Sequence, residues 1–122
     1  MSGFTSVQHA RELLVAAIPD LAAREVPYSV ALSGPDPELV EALVGHIRDA
    51  GPRLRAAAAA RDYRGVAGHA HGLKGMGGSV GLPEISVLGQ LLEEAARGGQ
   101  PDEVDRLCSL LSAWVTAAEA RA

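Results

Sequence analysis

Apolar residues recur along this chain at three- and four-residue intervals, and five stretches carry that helical period. In the first, Val7, Leu14, Ala17, Ile18 and Leu21 share a side, while Thr5 and Gln8 have the spacing of a capping box. Pro19 predicts a break or kink within this N-terminal helix, expected over about 5–25. Residues 26 to 35 read as a connection. Val26 to Leu32 is the best alternating run, and Pro27 weakens it as a strand.

The second stretch opens at Asp36-Pro37-Glu38, a cap, a first-turn proline and an acid suited to the positive helix end. Leu39/Val40, Leu43/Val44, Ile47 and Leu54 form its stripe. Pro52 has no N–H and its ring meets the carbonyl of Arg48, which predicts a kinked helix over about 37–60, with two shorter helices as the fallback. Asp62 caps a third helix over about 62–80, with Gly81 as its stop. Pro83 begins a fourth, 83–97, with Ile85, Leu88, Leu92 and Ala95 inward and Gly98-Gly99 at its end. Pro101-Asp102-Glu103 opens the last, 101–120, which turns Val104, Leu107, Cys108, Leu111, Val115 and Ala118 inward. Short connections make neighbouring helices antiparallel. The expectation is an all-α, up-and-down antiparallel four-helix bundle with an additional N-terminal helix, one domain over 1–122.

Composition narrows the function classes. The chain has 122 residues, enough for one core, and 48% are hydrophobic, but 22 of them are Ala. Helices so thinly clad must approach closely. A net charge of −4 with a single Lys, Lys74, argues against nucleic acid, whose phosphates need clustered cations. One Cys forms no internal disulfide and fits a reducing compartment. No apolar stretch is long enough to span a membrane, and no secretory leader is visible. A cytoplasmic monomer is expected.

The third helix holds the chemistry. At 100° per residue, Val66, Ala70, Leu73, Gly77 and Val80 form one stripe, and Arg64, Ala67, His71, Lys74, Gly75 and Gly78 form another. The first is the buried face, so His71 points outward between two cations and three very small residues. Neutral imidazole is a usable nucleophile, and phosphoryl transfer needs positioning and charge neutralisation more than covalent help. Lys74, one turn on, can reach an oxygen of a phosphoryl group on His71. Gly75 and Gly78 weaken a helix by about 1 kcal/mol each relative to Ala. Close approach of another protein's surface would explain them, with Ala67, Gly75 and Gly78 as a flat docking zone. An outward His with a Lys one turn away is also an ordinary solvated face; geometry alone leaves both readings open.

The other candidates carry less. His69 lies about 200° from His71 and is expected to face the bundle as a core or boundary residue. That angle forbids both from holding one metal ion. His9 and His46 read as solvated, and Cys108 as core. Gly75 to Gly81 lacks the G-x-G-x-x-G spacing, and no Gly-Lys-Ser/Thr occurs, so no nucleotide site is visible.

Ala70-His71-Gly72-Leu73-Lys74-Gly75, continuing through Gly78-Ser79-Val80-Gly81-Leu82, resembles the A-H-x-L-K-G signature of histidine-containing phosphotransfer (HPt) domains. Upstream, Asp49 to Arg55, the Ala run and Arg61-Asp62-Tyr63 resemble the family's long helix and the turn before the His helix. Downstream, Leu92-Glu93 resembles the L-E pair of the next helix. The similarity covers about residues 35 to 97. It implies that His71 is phosphorylated, on Nε2, by a receiver-domain phospho-aspartate or a histidine kinase, and passes the group to a response-regulator aspartate. Lys74 would support the phosphoryl group and Gly75 would leave room beside the His. The resemblance further implies a phosphocarrier and not an enzyme, with no cofactor of its own, since the receiver brings Mg²⁺. Gly72 and Met76 depart from the usual residues at their positions. The competing reading is an HPt-like module that docks a receiver or kinase without carrying phosphate.

Overall fold

The computed structural model describes residues 3–29 and 37–120. They form α1 (Gly3–Ala17), α2 (Leu21–Glu25), α3 (Pro37–Ala59), α4 (Tyr63–Gly77), α5 (Pro83–Arg97) and α6 (Pro101–Glu119). Single 3₁₀ turns at Val26–Tyr28 and Gly78–Val80 follow α2 and α4, and no strand occurs among the described residues.

The start and stop signals act largely as read. Prolines open α3, α5 and α6, where a missing N–H leaves no bond unmade. Asp36, the expected cap of α3, lies outside the described residues. Three helices or turns close in the same way, with a left-handed residue and two backward hydrogen bonds. Gly81 (φ 87°) and Gly99 (φ 63°) fill that position after the 3₁₀ turn and α5, whereas Arg61 (φ 59°) fills it after α3.

Some boundaries differ. α1 begins at Gly3 and runs through Thr5, so the Thr5–Gln8 pair does not open the helix. Pro19 ends α1 outright and α2 is a separate short helix. α3, by contrast, runs past Pro52 as the one helix expected, and the fallback of two shorter helices does not occur. The last turn of the expected 62–80 helix is 3₁₀.

α3, α4, α5 and α6 pack each against the next, and α3 against α6 closes the ring. The connecting residues 60–62, 78–82 and 98–100 are too few to do more than turn the chain back. α1 lies along α6, and α2 lies against α5. The expected stripes of α5 and α6 are buried, and so is that of α3 except for Leu39, which is 50% exposed because it lies at the edge of the stripe; Trp114, which the sequence reading did not place, is fully enclosed. α5 is the most enclosed helix because α2, α4 and α6 all pack on it. Its buried set includes the polar residues Glu84, Ser86 and Glu93.

Glu84 and Glu25 meet Arg11 of α1. The Arg11 guanidinium grips both Glu25 oxygens, with Nη2 2.7 Å from Oε1, and its Nη1 lies 3.7 Å from Glu84 Oε1. Burial pushes the Glu84 carboxyl above the usual glutamate range. This cluster fastens the N-terminal helices to the start of α5.

Candidate functional site

Asp62 sets the start of α4: its side chain accepts a hydrogen bond from the Gly65 amide at 2.9 Å. From there the helical angle distributes the side chains. Val66, Ala70, Leu73 and Gly77 are buried, Val80 is half-buried, and His71 projects with its side chain 69% exposed.

Behind His71 stands Glu93 of α5, whose side chain is only 7% exposed. One carboxylate oxygen, Oε2, lies 3.4 Å from His71 Nδ1 and 2.7 Å from Arg97 Nη2; the other, Oε1, lies 3.1 Å from Lys74 Nζ. The hydrogen bond from Lys74 holds this carboxyl below the usual glutamate range, against its burial, and the charges of Lys74, Arg97 and His71 add to the effect. The site therefore contains a persistent anion enclosed by two cations and an imidazole. A proton on Nδ1 is favoured where it faces a carboxylate, and that tautomer leaves the Nε2 lone pair outward.

An open cavity of about 490 Å³ surrounds this group, lined among others by Tyr63, Arg64, Ala67, His71, Glu93 and Arg97. Of the residues expected on the outward face, Arg64 and Gly75 are exposed and Ala67 is half-buried. Lys74 was expected to be exposed, but its side chain is 28% exposed because it bends back onto Glu93.

Gly78 does not belong to an open face. A Cβ there would lie 2.6 Å from the Tyr28 carbonyl oxygen, so the close approach that its small size permits is to the chain's own N-terminal segment. Gly75, by contrast, has nothing within 4 Å of that position.

His69 is a second correction. It is exposed, not turned into the bundle. The buried face of α4 centres on Ala70, Leu73 and Gly77, and His69 sits on its flank toward α3. There the small residues Gly51, Gly68 and Gly72 leave a groove of about 160 Å³ that His46 also lines. His71 occupies the opposite flank, over α5. His9 and His46 are exposed as expected, and Cys108 is buried, with burial pushing its thiol pKa up.

Glu93 and Arg97 are the functional residues that the sequence reading left without a role. Leu92-Glu93 was noticed only as a resemblance. On the wheel, Glu93 lies well off the Ile85/Leu88/Leu92 stripe and reads as solvated. It is buried because α4 covers that flank of α5, which the period of α5 alone does not report.

No helix among the described residues is long and apolar enough to cross a membrane. Comparison with curated proteins and with solved structures gave no match. The family model of the Hpt domain matches residues 38–121, from the first turn of α3 to the end of α6. With an outward histidine on the second bundle helix and a match over more than half its length, the chain belongs to the Hpt domain family, the phosphocarrier modules of two-component signalling that interact with receiver domains and kinases.

Proposed function

We propose that the chain is a phosphorelay intermediate in which His71 takes a phosphoryl group from a receiver phospho-aspartate or a histidine kinase and passes it to a response-regulator aspartate. The observation that carries this reading is the pairing of an exposed His71 with a buried Glu93 at its Nδ1. The Nε2 lone pair attacks phosphorus, the bond from phosphorus to the aspartyl oxygen breaks, and the aspartate leaves with the electron pair. The ring keeps its Nδ1 proton and becomes cationic, and the Glu93 carboxylate compensates that charge without accepting the proton. Transfer onward is the reverse of these steps on a second aspartate.

Lys74, Arg97 and Arg64 supply the positive charge that transfer between two anionic sites requires. Lys74 reaches Glu93 in the unphosphorylated state, and a phosphoryl group on Nε2 offers it stronger acceptors within one helical turn. Gly75 leaves the approach open. The sequence has no nucleotide-binding motif, and in this reading the chain needs no cofactor of its own, with Mg²⁺ belonging to the receiver. It works as a cytoplasmic monomer.

Incubation with a phosphorylated cognate receiver is expected to place acid-labile, alkali-stable phosphate on His71. Label that survives His71→Gln would overturn the site. Binding to cognate receivers and kinases with no transfer to or from any of them would favour a module that docks without carrying phosphate.

A further inference from the structure

Serine 86 is fully enclosed in α5 and has one proton to donate. Its Oγ donates to the Lys74 carbonyl at 2.7 Å and accepts from the Gly78 amide at 2.8 Å. In an uninterrupted helix those two backbone groups would bond to each other, since they are four residues apart. The hydroxyl is inserted between them. α4 ends there, with Gly77 as its last α-helical residue, and the chain tightens into the 3₁₀ turn Gly78–Val80.

The next residue on that face of α5 is Gly89. A Cβ there would stand 2.5 Å from the Lys74 amide nitrogen and 2.6 Å from the Ala70 carbonyl oxygen, so the two backbones touch. One further turn on is Glu93, 3.1 Å from Lys74 Nζ and 3.4 Å from His71 Nδ1. Ser86, Gly89 and Glu93 follow at i, i+3 and i+7 and share one side of the helix. α5 thus meets Lys74 at its carbonyl, its amide and its ammonium group.

A helix is stiff over this span, so a slip at one contact is carried to the others. We infer that Ser86 is a positioning residue for phosphotransfer: its bridge from the Lys74 carbonyl to the Gly78 amide sets the register that puts Glu93 against His71 Nδ1. Ser86 touches neither the imidazole nor the incoming phosphoryl group. It acts through Glu93, and the inference rests on the reading that His71 is the phosphoacceptor.

The test uses Ser86→Ala in the full chain, with Gly89→Ala as a second route to the same slip and Val104→Ala as a core-destabilised comparison. ¹⁵N spectra of the His71 ring report the tautomer, and label transfer from a phosphorylated receiver reports the rate. Ser86→Ala and Gly89→Ala should both reduce the Nδ1–H form, while Val104→Ala leaves it unchanged. Transfer should fall about five-fold in Ser86→Ala, and the same change in a Glu93→Gln background should cost less than about two-fold, the signature of coupled residues. An unmoved tautomer in both variants, or an equal loss in both backgrounds, would overturn the inference. So would the unfolding of both variants, which would assign Ser86 to stability alone. None of these outcomes touches the His71 assignment, which stands or falls on whether His71→Gln removes the label.

Discussion

Glu93 joins His71 and Lys74 through opposite oxygens of one carboxylate, Oε2 at 3.4 Å from Nδ1 and Oε1 at 3.1 Å from Nζ. The link runs between two helices and sits where the side chain is almost wholly removed from water. It makes the His71 imidazole and the Lys74 ammonium parts of one electrostatic unit.

Glu93→Gln retains a carbonyl that can accept from Nδ1–H but removes the charge that balances the imidazolium. Phosphoryl acceptance by His71 is expected to slow by about ten-fold, which corresponds to about 1.4 kcal/mol of lost charge compensation in the transition state. Glu93→Ala should slow it further. Rapid-quench transfer from a labelled receiver measures both, and an unchanged rate in Glu93→Gln would remove Glu93 from the chemistry.

Lys74→Ala is expected to slow transfer and also to lower stability. Its removal leaves the enclosed Glu93 with Arg97 and His71 only, a loss of about 1–2 kcal/mol by analogy with other broken charged pairs. The midpoint of thermal unfolding should fall by several degrees while the helical circular dichroism is kept. Unaltered stability would show that Lys74 contributes to the site alone.

Gly75 and Gly77 of α4 and Gly78 of the turn after it should separate sharply. At Gly75 a methyl group meets nothing, so Gly75→Ala should stabilise the chain by up to about 1 kcal/mol through helix propensity. At Gly77 it would lie 2.5 Å from the Ser86 amide nitrogen, and at Gly78 2.6 Å from the Tyr28 carbonyl oxygen. Both alanine variants should therefore destabilise, by about 1–3 kcal/mol, as overpacked sites do. Gly78→Arg should fail through stability and not through docking. Thermal unfolding of the three alanine variants side by side decides this.

Two buried carboxyls should pull stability in opposite directions with pH. Glu93 has a lowered pKa in the folded chain, so its contribution is present above the ordinary glutamate range and is lost as pH falls through the folded value. Glu84 has a raised one, because its neutral form is favoured inside, so it reduces stability as pH rises through the folded value. The groups facing it, Arg11 and Glu25, act with opposite sign on that titration. Glu84→Gln should therefore gain on the parent chain in melting temperature as pH rises above the ordinary glutamate range. A gap that narrows as pH rises would show that the Arg11 charge outweighs burial.

The order of the helices and the outward placement of His71 were legible from one dimension of information. Periods of 3.6 in α3 to α6, prolines at first turns and the Asp62 cap are local features, and local physics acts the same way in any fold. The A-H-x-L-K-G resemblance marked His71 and Lys74, although not that Lys74 would turn back onto α5. What escaped depends on which helix covers which flank. The period of α4 reads as turning His69 toward the bundle, and it does not say that small residues leave the side toward α3 open. In the same way, the period of α5 makes Glu93 look solvated.

By itself, then, the sequence determined an all-helical chain that buries one stripe per helix and carries the outward His71 with its lysine a turn away. Only the tertiary structure decided that Glu93 stands behind that histidine and that Tyr28 fills the space over Gly78. It also decided that a serine hydroxyl interrupts the α4 ladder. Each of these is a meeting of residues from different segments at contact distance. Such meetings are set by how helices cross and how closely their backbones approach, which no single helix's pattern encodes.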